Sequence, residues 1–146
     1  MHILQWARAN ECDWNEDTCS AAAEAGHLHI LHWARANGCD WNEDTCSAAA
    51  RAGHLHILQW ALANGCAWSS STCSFAAKSN HWEIVEWVVV NGCGMESDKV
   101  AYDSEFNLCI HAAGEGKWDI VQLALDHGCS CPDDILLQLA WLATAQ

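Results

Sequence analysis

HILHWARANGC, residues 29–39, recurs almost unchanged as HILQWARANEC at 2–12 and as HILQWALANGC at 56–66, a constant step of 27 residues. Residues 2–23 and 29–50 differ at two of 22 positions. Trp6, Trp33, Trp60 and Trp87 keep the step, and so do Trp14, Trp41 and Trp68. It lengthens once, to 36, between Trp82 and Trp118 and between Cys93 and Cys129, so nine residues are inserted between Cys93 and Cys109. A fixed period of this size marks a chain built from stacked units that cannot each bury an apolar face alone.

The columns place helices inside each unit. Leu28, Ile30, Leu31, Trp33 and Ala34 form a broad apolar face at helical spacing, with His29, His32 and Arg35 on the other side. Ahead of this helix, called B, runs a shorter one, A, written TCSAAAEA, TCSAAARA, TCSFAAKS and LCIHAAGE in successive units. Asp17, Asp44, Ser71, Asn107 and Asp134 share one register before A and are expected as its N-caps. Gly26, Gly53 and Gly116, with Asn80 as substitute, end A; Gly38, Gly65, Gly92 and Gly128 end B, Glu11 being the exception. Helices under ~12–15 residues are marginal alone, so each must bury its face on a neighbour. Each tryptophan column is expected to contribute up to ~4–6 kcal/mol per unit. The expected fold is all-α, an α-solenoid of stacked helix-turn-helix units with little or no β. Its parts are a half repeat at 1–12, repeats at about 13–39, 40–66, 67–93 and 94–129, and a terminal helix at 133–143, together one array over 1–146.

Composition narrows the function classes. The 146 residues carry a formal charge of −13 with only six Lys and Arg. No basic stripe for nucleic acid can be assembled, and an anionic membrane surface would repel the chain. No apolar run approaches a membrane span, and MHILQWARAN has no secretory-signal pattern. An intracellular, cytoplasmic protein is expected. Nine of the ten cysteines fall in two columns: Cys12, Cys39, Cys66, Cys93 and Cys129, then Cys19, Cys46, Cys73 and Cys109. Stacked helices lie ~10 Å apart, too far for cysteines of one column to bridge, and small buried thiols are the expectation.

DTCSAAARAGHLHILQWALANGC (44–66) resembles the ankyrin repeat, in which TPLH is followed by an Ala-Ala helix, Gly-His, and a hydrophobic second helix ending in Asn-Gly-Ala. IHAAGEGKWDIVQLALDHGC (110–129) is closer still. The likeness covers essentially the whole chain, although DTCS replaces TPLH and the usual period is six residues longer. It is similar to the short, Trp- and Cys-rich ankyrin arrays of large DNA viruses and protists. The missing six residues are those of the protruding β-turn finger, and the segment at 95–103, MESDKVAYD, restores that length in one unit. The resemblance implies protein binding through helix A and the turn before it. Carried over residue by residue, the recognition positions are Glu16, Glu24, Glu43, Arg51, Ser70, Lys78 and Ser79.

Other constellations have plainer explanations. DWNED at 13–17 has calcium-loop spacing, but Thr18 stands where the loop needs Gly, and the second copy puts Arg51 at the twelfth position. Its acids suit the N-terminal end of helix A instead. His29 and His32 lie one turn apart without a third metal ligand. GEGK at 114–117 lacks the flanking residues of a phosphate loop, having His111 and Trp118 at the deciding positions. CPDDILLQLAWLATAQ faintly resembles an F-box but fits the repeat register better as the helix A of a sixth unit, the half repeat being the first. We expect no catalysis, no metal and no cofactor. The array begins inside a helix B and stops after a helix A, which fits a piece cut from a longer array, a simple monomer, or ends that dock head to tail through Ile3, Trp6, Leu137 and Trp141, giving filaments or rings. Two readings result: a scaffold that binds another protein, or a structural protein that self-assembles.

Overall fold

The computed structural model describes residues 2–10, 14–92 and 106–145, without the side chains of Ile3, Leu4, Ala7 and Arg8. The segment at 95–103, together with Cys12 and Cys93, lies outside the described residues. All regular structure among the described residues is helical: α1 (His2–Ala9), α2 (Glu16–Glu24), α3 (Leu28–Ala36), α4 (Glu43–Ala52), α5 (Leu55–Ala63), α6 (Ser70–Lys78), α7 (Trp82–Val90), α8 (Leu108–Gly114), α9 (Trp118–Asp126) and α10 (Asp133–Thr144). The chain divides into two compact units, Met1–Trp68 and Ser69–Gln146. In the first, the hairpins α2–α3 and α4–α5 pack through α2 against α4. In the second, the hairpins α6–α7 and α8–α9 pack through α6 against α8 and α7 against α9, and α10 lies beside α8.

The stop signals act as expected. At Gly26 (φ +77°) the chain turns left-handed; the Gly26 N–H reaches the Ala23 carbonyl at 3.3 Å and the His27 N–H the Ala22 carbonyl at 2.9 Å. Gly38 (φ +81°) does the same after α3, with Cys39 N–H on the Ala34 carbonyl at 3.0 Å. This paired bonding satisfies carbonyls that a helix end leaves open. Asn80, φ 60°, fills the role without glycine. In the first unit the residue after each of these glycines, a histidine after helix A and a cysteine after helix B, is folded back beneath its own helix.

The start signals differ from expectation. The N-caps are Asn15, Asn42, Ser69 and Pro132, two residues ahead of Asp17, Asp44, Ser71 and Asp134; only Asn107 caps from the expected register. Asn42 is extended, and its side-chain oxygen accepts from the Asp44 N–H at 2.9 Å. Ser69 and Thr72 form a reciprocal capping box. Asp17 and Asp44 stand in the first turn, where a carboxylate meets the positive end of the helix dipole.

The core is also thinner than the aromatic columns suggest. Its members are small: Cys19, Ala22 and Ala23 of α2, Cys46, Ala49 and Ala50 of α4, Leu31 and Ala34 of α3, Ile57, Leu58 and Ala61 of α5. In the second unit Ala76, Ala77, Ile84, Val85, Val88, Val121 and Ala124 do the same work. The tryptophans sit half-buried at the margins, Trp14 against Trp33 at 5.0 Å and Trp41 against Trp60 at 5.5 Å between ring centroids. Helices that face each other through alanine and cysteine leave no room for an indole between them. The expectation of buried tryptophan columns is corrected accordingly, and their contribution falls well below full burial. Trp6 is 65% exposed.

Candidate functional site

Helix A carries the candidate partner-binding positions, and in the first unit α2 and α4 bring four of them onto adjacent helices. Glu16 and Glu43 stand at the first helical residue of α2 and α4, both exposed. Glu24 and Arg51 stand in the last turns, and the Arg51 guanidinium donates to the Glu24 carboxylate at 2.9 Å across the helix pair. Both are about half-exposed, at 54% and 49%, so the pair is held in solvent and contributes ~0–1 kcal/mol. In the second unit Ser70 opens α6 and Ser79 caps it, each half-buried, while Lys78 is exposed with its ammonium 5.3 Å over the Phe106 ring.

A second cluster lies behind the first, on helix B and the turn before helix A. Arg35 donates to the Cys39 carbonyl and lies over the Trp41 ring at 4.3 Å. His32 meets the Trp60 ring at 4.1 Å. The hairpins are thus joined by a row of cation and ring contacts at the margin, where the tryptophans sit half-buried. His54 adds a further tie, its Nε2–H donating to the Glu24 carbonyl at 3.2 Å.

The cysteines make the contacts that the column argument missed. Cys19 Sγ lies 3.4 Å from Cys39 Sγ, and the Cys39 thiol donates to the Asn15 carbonyl at 3.2 Å. One unit later Cys66 Sγ meets the Asn42 carbonyl, again at 3.2 Å, and takes a hydrogen bond from Cys46. In the second unit Cys109 and Cys131 are joined as a disulfide, Cα atoms 5.5 Å apart. The expectation that all cysteines remain thiols is corrected there. The geometric rule still holds, because Cys131 belongs to neither column. The signal was present as a spacing of 20 residues between columns, from Cys19 to Cys39 and from Cys46 to Cys66.

The remaining chemistry is sparse. Among the described residues no three His, Cys, Asp or Glu groups converge to hold a metal ion, and no helix is long and apolar enough to cross a membrane. The exposed large apolar side chains include Trp6 of α1 and Leu137 (72%) and Trp141 (69%) of α10; the Ile3 side chain lies outside the described residues. What the geometry defines is an all-helical protein of paired short hairpins whose helix A in the first unit buries alanines and cysteines and exposes Glu16, Glu24, Glu43 and Arg51. No known family model matches the chain, and no protein of curated function does.

Proposed function

We propose that the chain is an ankyrin-like α-solenoid scaffold that binds another protein through helix A and the turn before it. The observation that carries this reading is the adjacency of α2 and α4 with Glu16, Glu24, Glu43 and Arg51 all exposed on them. The helices are held by alanine and cysteine contacts behind, so these side chains are free to vary without disturbing the fold. The site takes a folded or extended protein surface rather than a small molecule or nucleic acid, and involves no catalytic step. A cytoplasmic setting belongs to the same reading; six described cysteines that remain thiols support it, and the Cys109–Cys131 disulfide counts against it. The test is quantitative capture of partners from the native cell by the full chain and by a variant reversed at Glu16, Glu24, Glu43 and Arg51. A partner retained by the first and lost by the second, with circular dichroism unchanged, supports the reading. Equal capture by both sinks it.

A second reading, end-to-end self-assembly into filaments or rings, is favoured by the exposure of Trp6, Leu137 and Trp141. Light scattering over a dilution series decides it. A mass that rises with concentration and is abolished by Leu137→Glu supports assembly, and a constant monomer mass removes it.

A further inference from the structure

The repeat places two cysteine pairs in the same surroundings. Cys19 follows the start of α2 and Cys39 sits in the turn that ends α3; Cys46 and Cys66 hold the same places on α4 and after α5. The backbone at the helix caps matches between copies. The residues capping α3 and α5, Asn37 and Asn64, have φ, ψ of −101°, 17° and −103°, 17°, and the N-caps Asn15 and Asn42 are both extended. Each turn cysteine hydrogen-bonds the N-cap carbonyl of helix A, and each helix cysteine lies against its partner's sulfur. Cys109, the equivalent helix cysteine of α8, is already joined to the segment after α9.

We propose that Cys46/Cys66 and Cys19/Cys39 are dithiol sites that a low-molecular-weight disulfide closes into intrachain cross-links, each tying the start of a helix A to the turn that ends the following helix B. The thiolate of one cysteine attacks a sulfur of the small disulfide RSSR, forming a protein–SR mixed disulfide and expelling one thiolate, which takes up a proton. The paired cysteine loses its proton to solvent and attacks the protein sulfur of the mixed disulfide, expelling the second thiolate. Two protein thiols are oxidised and one RSSR is reduced to two RSH.

The two sites differ in readiness. Hydrogen bonds from the Cys46 side chain and N–H, with help from the Arg35 charge, hold the Cys66 thiol below the ordinary range against the opposing effect of burial. Burial, the bond to Cys39 and the neighbouring sulfur push Cys19 up to about 12. Thiolate is the attacking species, so Cys66 is the entry point and its pair closes first. Arg35 does not depend on the partner-binding reading for this role, and neither does the proposal.

The experiment uses the full chain, reduced and then exposed to oxidised glutathione, quenched in acid at intervals and digested with trypsin without reductant. Cleavage after Arg51 separates Cys46 from Cys66, and cleavage after Arg35 separates Cys19 from Cys39. Because Cys39 and Cys46 share the fragment 36–51, and Cys66 shares its fragment with Cys73, the linked sulfurs are assigned by tandem mass spectrometry. Fragments joined as Cys46–Cys66 and then as Cys19–Cys39 are expected. Cys66→Ser removes the fast phase, slowing the first thiol loss roughly tenfold, and Cys46→Ser traps a glutathionyl group on Cys66. A glutathionyl group that persists on Cys66 of the unsubstituted chain, or links from either pair to other cysteines, overturns the proposal. Should the serine variants fail to fold, phenylarsine oxide, which needs two neighbouring thiols, provides the check on the unsubstituted chain. Uptake located on the Cys46/Cys66 or Cys19/Cys39 fragments and blocked by prior oxidation supports the proposal. Uptake confined to the fragments of Cys109 and Cys131, which reduction also opens, or no uptake, overturns it.

Discussion

Both units bind one hairpin to the previous one by the same bond, made from different places in the sequence. In the first, His54, which comes after the glycine that ends α4, donates to the Glu24 carbonyl at the end of α2. In the second, the corresponding position is Lys117, and His111 from within α8 donates to the Ala77 carbonyl at the end of α6, at 2.9 Å. The surroundings differ as well. His54 lies over Gly26, whereas His111 packs near the rings of Trp82 and Phe106, at 5.7 and 5.8 Å. Short helices end in carbonyls that need donors. The bond is kept and the column is not, so a residue-by-residue comparison of the repeats underestimates how alike the units are.

The largest effect separates the units through their cores. Leu31 and Leu58 share a register with Val85 and Val121, and all four are fully buried. Leu58→Ala is expected to destabilise by ~2–5 kcal/mol. Val121→Ala removes one methylene fewer and is expected to fall short of that by ~1 kcal/mol. Urea denaturation of both variants measures the difference. Equal losses would mean that the second unit is packed more tightly around a smaller side chain than the shared register implies.

Next comes the covalent difference. The Cys109–Cys131 bond closes a sequence separation of 22 residues, for which the chain-entropy relation gives about 3 kcal/mol. Cys131→Ser should lower stability by that amount when no reductant is present, and the gap should vanish in dithiothreitol. Cys39→Ser in the first unit removes only thiol contacts and should lose ~1 kcal/mol under either condition. If the reductant leaves the Cys131→Ser gap intact, the loss comes from packing and not from the cross-link.

These differences show what the sequence could carry. Period, helix type and helix ends were legible because glycine at positive φ leaves a residue-level mark. Cap positions were not, since Asn15 and Asp17 are equally good caps as residues and only the extended backbone at Asn15 selects between them. Burial depth of the tryptophans was hidden for another reason. Spacing shows which face a side chain lies on, while depth depends on how closely Ala22, Ala23, Ala49 and Ala50 let the helices approach. The cysteine pairs were legible as numbers but needed the reversal at Gly38 to become contacts. Of the candidate binding residues, the sequence placed Glu16, Glu43 and Ser70 in the turn before helix A, whereas they are the first residues of α2, α4 and α6, and Ser79 is the C-cap of α6. The Glu24–Arg51 pairing emerged only once α2 and α4 were side by side.

The third expectation turns on two glycines of one register. Gly26 and Gly116 are both left-handed, at φ +77° and +70°, where an L side chain costs ~1–2 kcal/mol. A Cβ on Gly26 would also lie 2.8 Å from the His54 ring, whereas one on Gly116 meets nothing within 4 Å. Gly26→Ala is therefore expected to lose the His54 bond as well and to exceed Gly116→Ala by ~0.5–1.5 kcal/mol. In the double variant with His54→Ala the excess should disappear, as thermal melts would record. An excess that survives means the ring is not what the methyl group strikes.

The smallest effect concerns the exposed charges. Arg51 pairs with Glu24, while Lys78, in the same register, lies over Phe106. The ion pair is half in solvent, so Arg51→Gln should lose ~0–1 kcal/mol at low salt and nothing measurable in molar salt. The contact of Lys78 with Phe106 should respond less to salt, because a cation over a ring face depends more on desolvation than on a counter-charge. A binding partner reads the two positions differently for the same reason: the carboxylate facing Arg51 can be exchanged for one from the partner, and Phe106 offers Lys78 no such exchange. Reversal at Arg51 should therefore change the capture of an acidic surface more than reversal at Lys78, even though neither changes the fold.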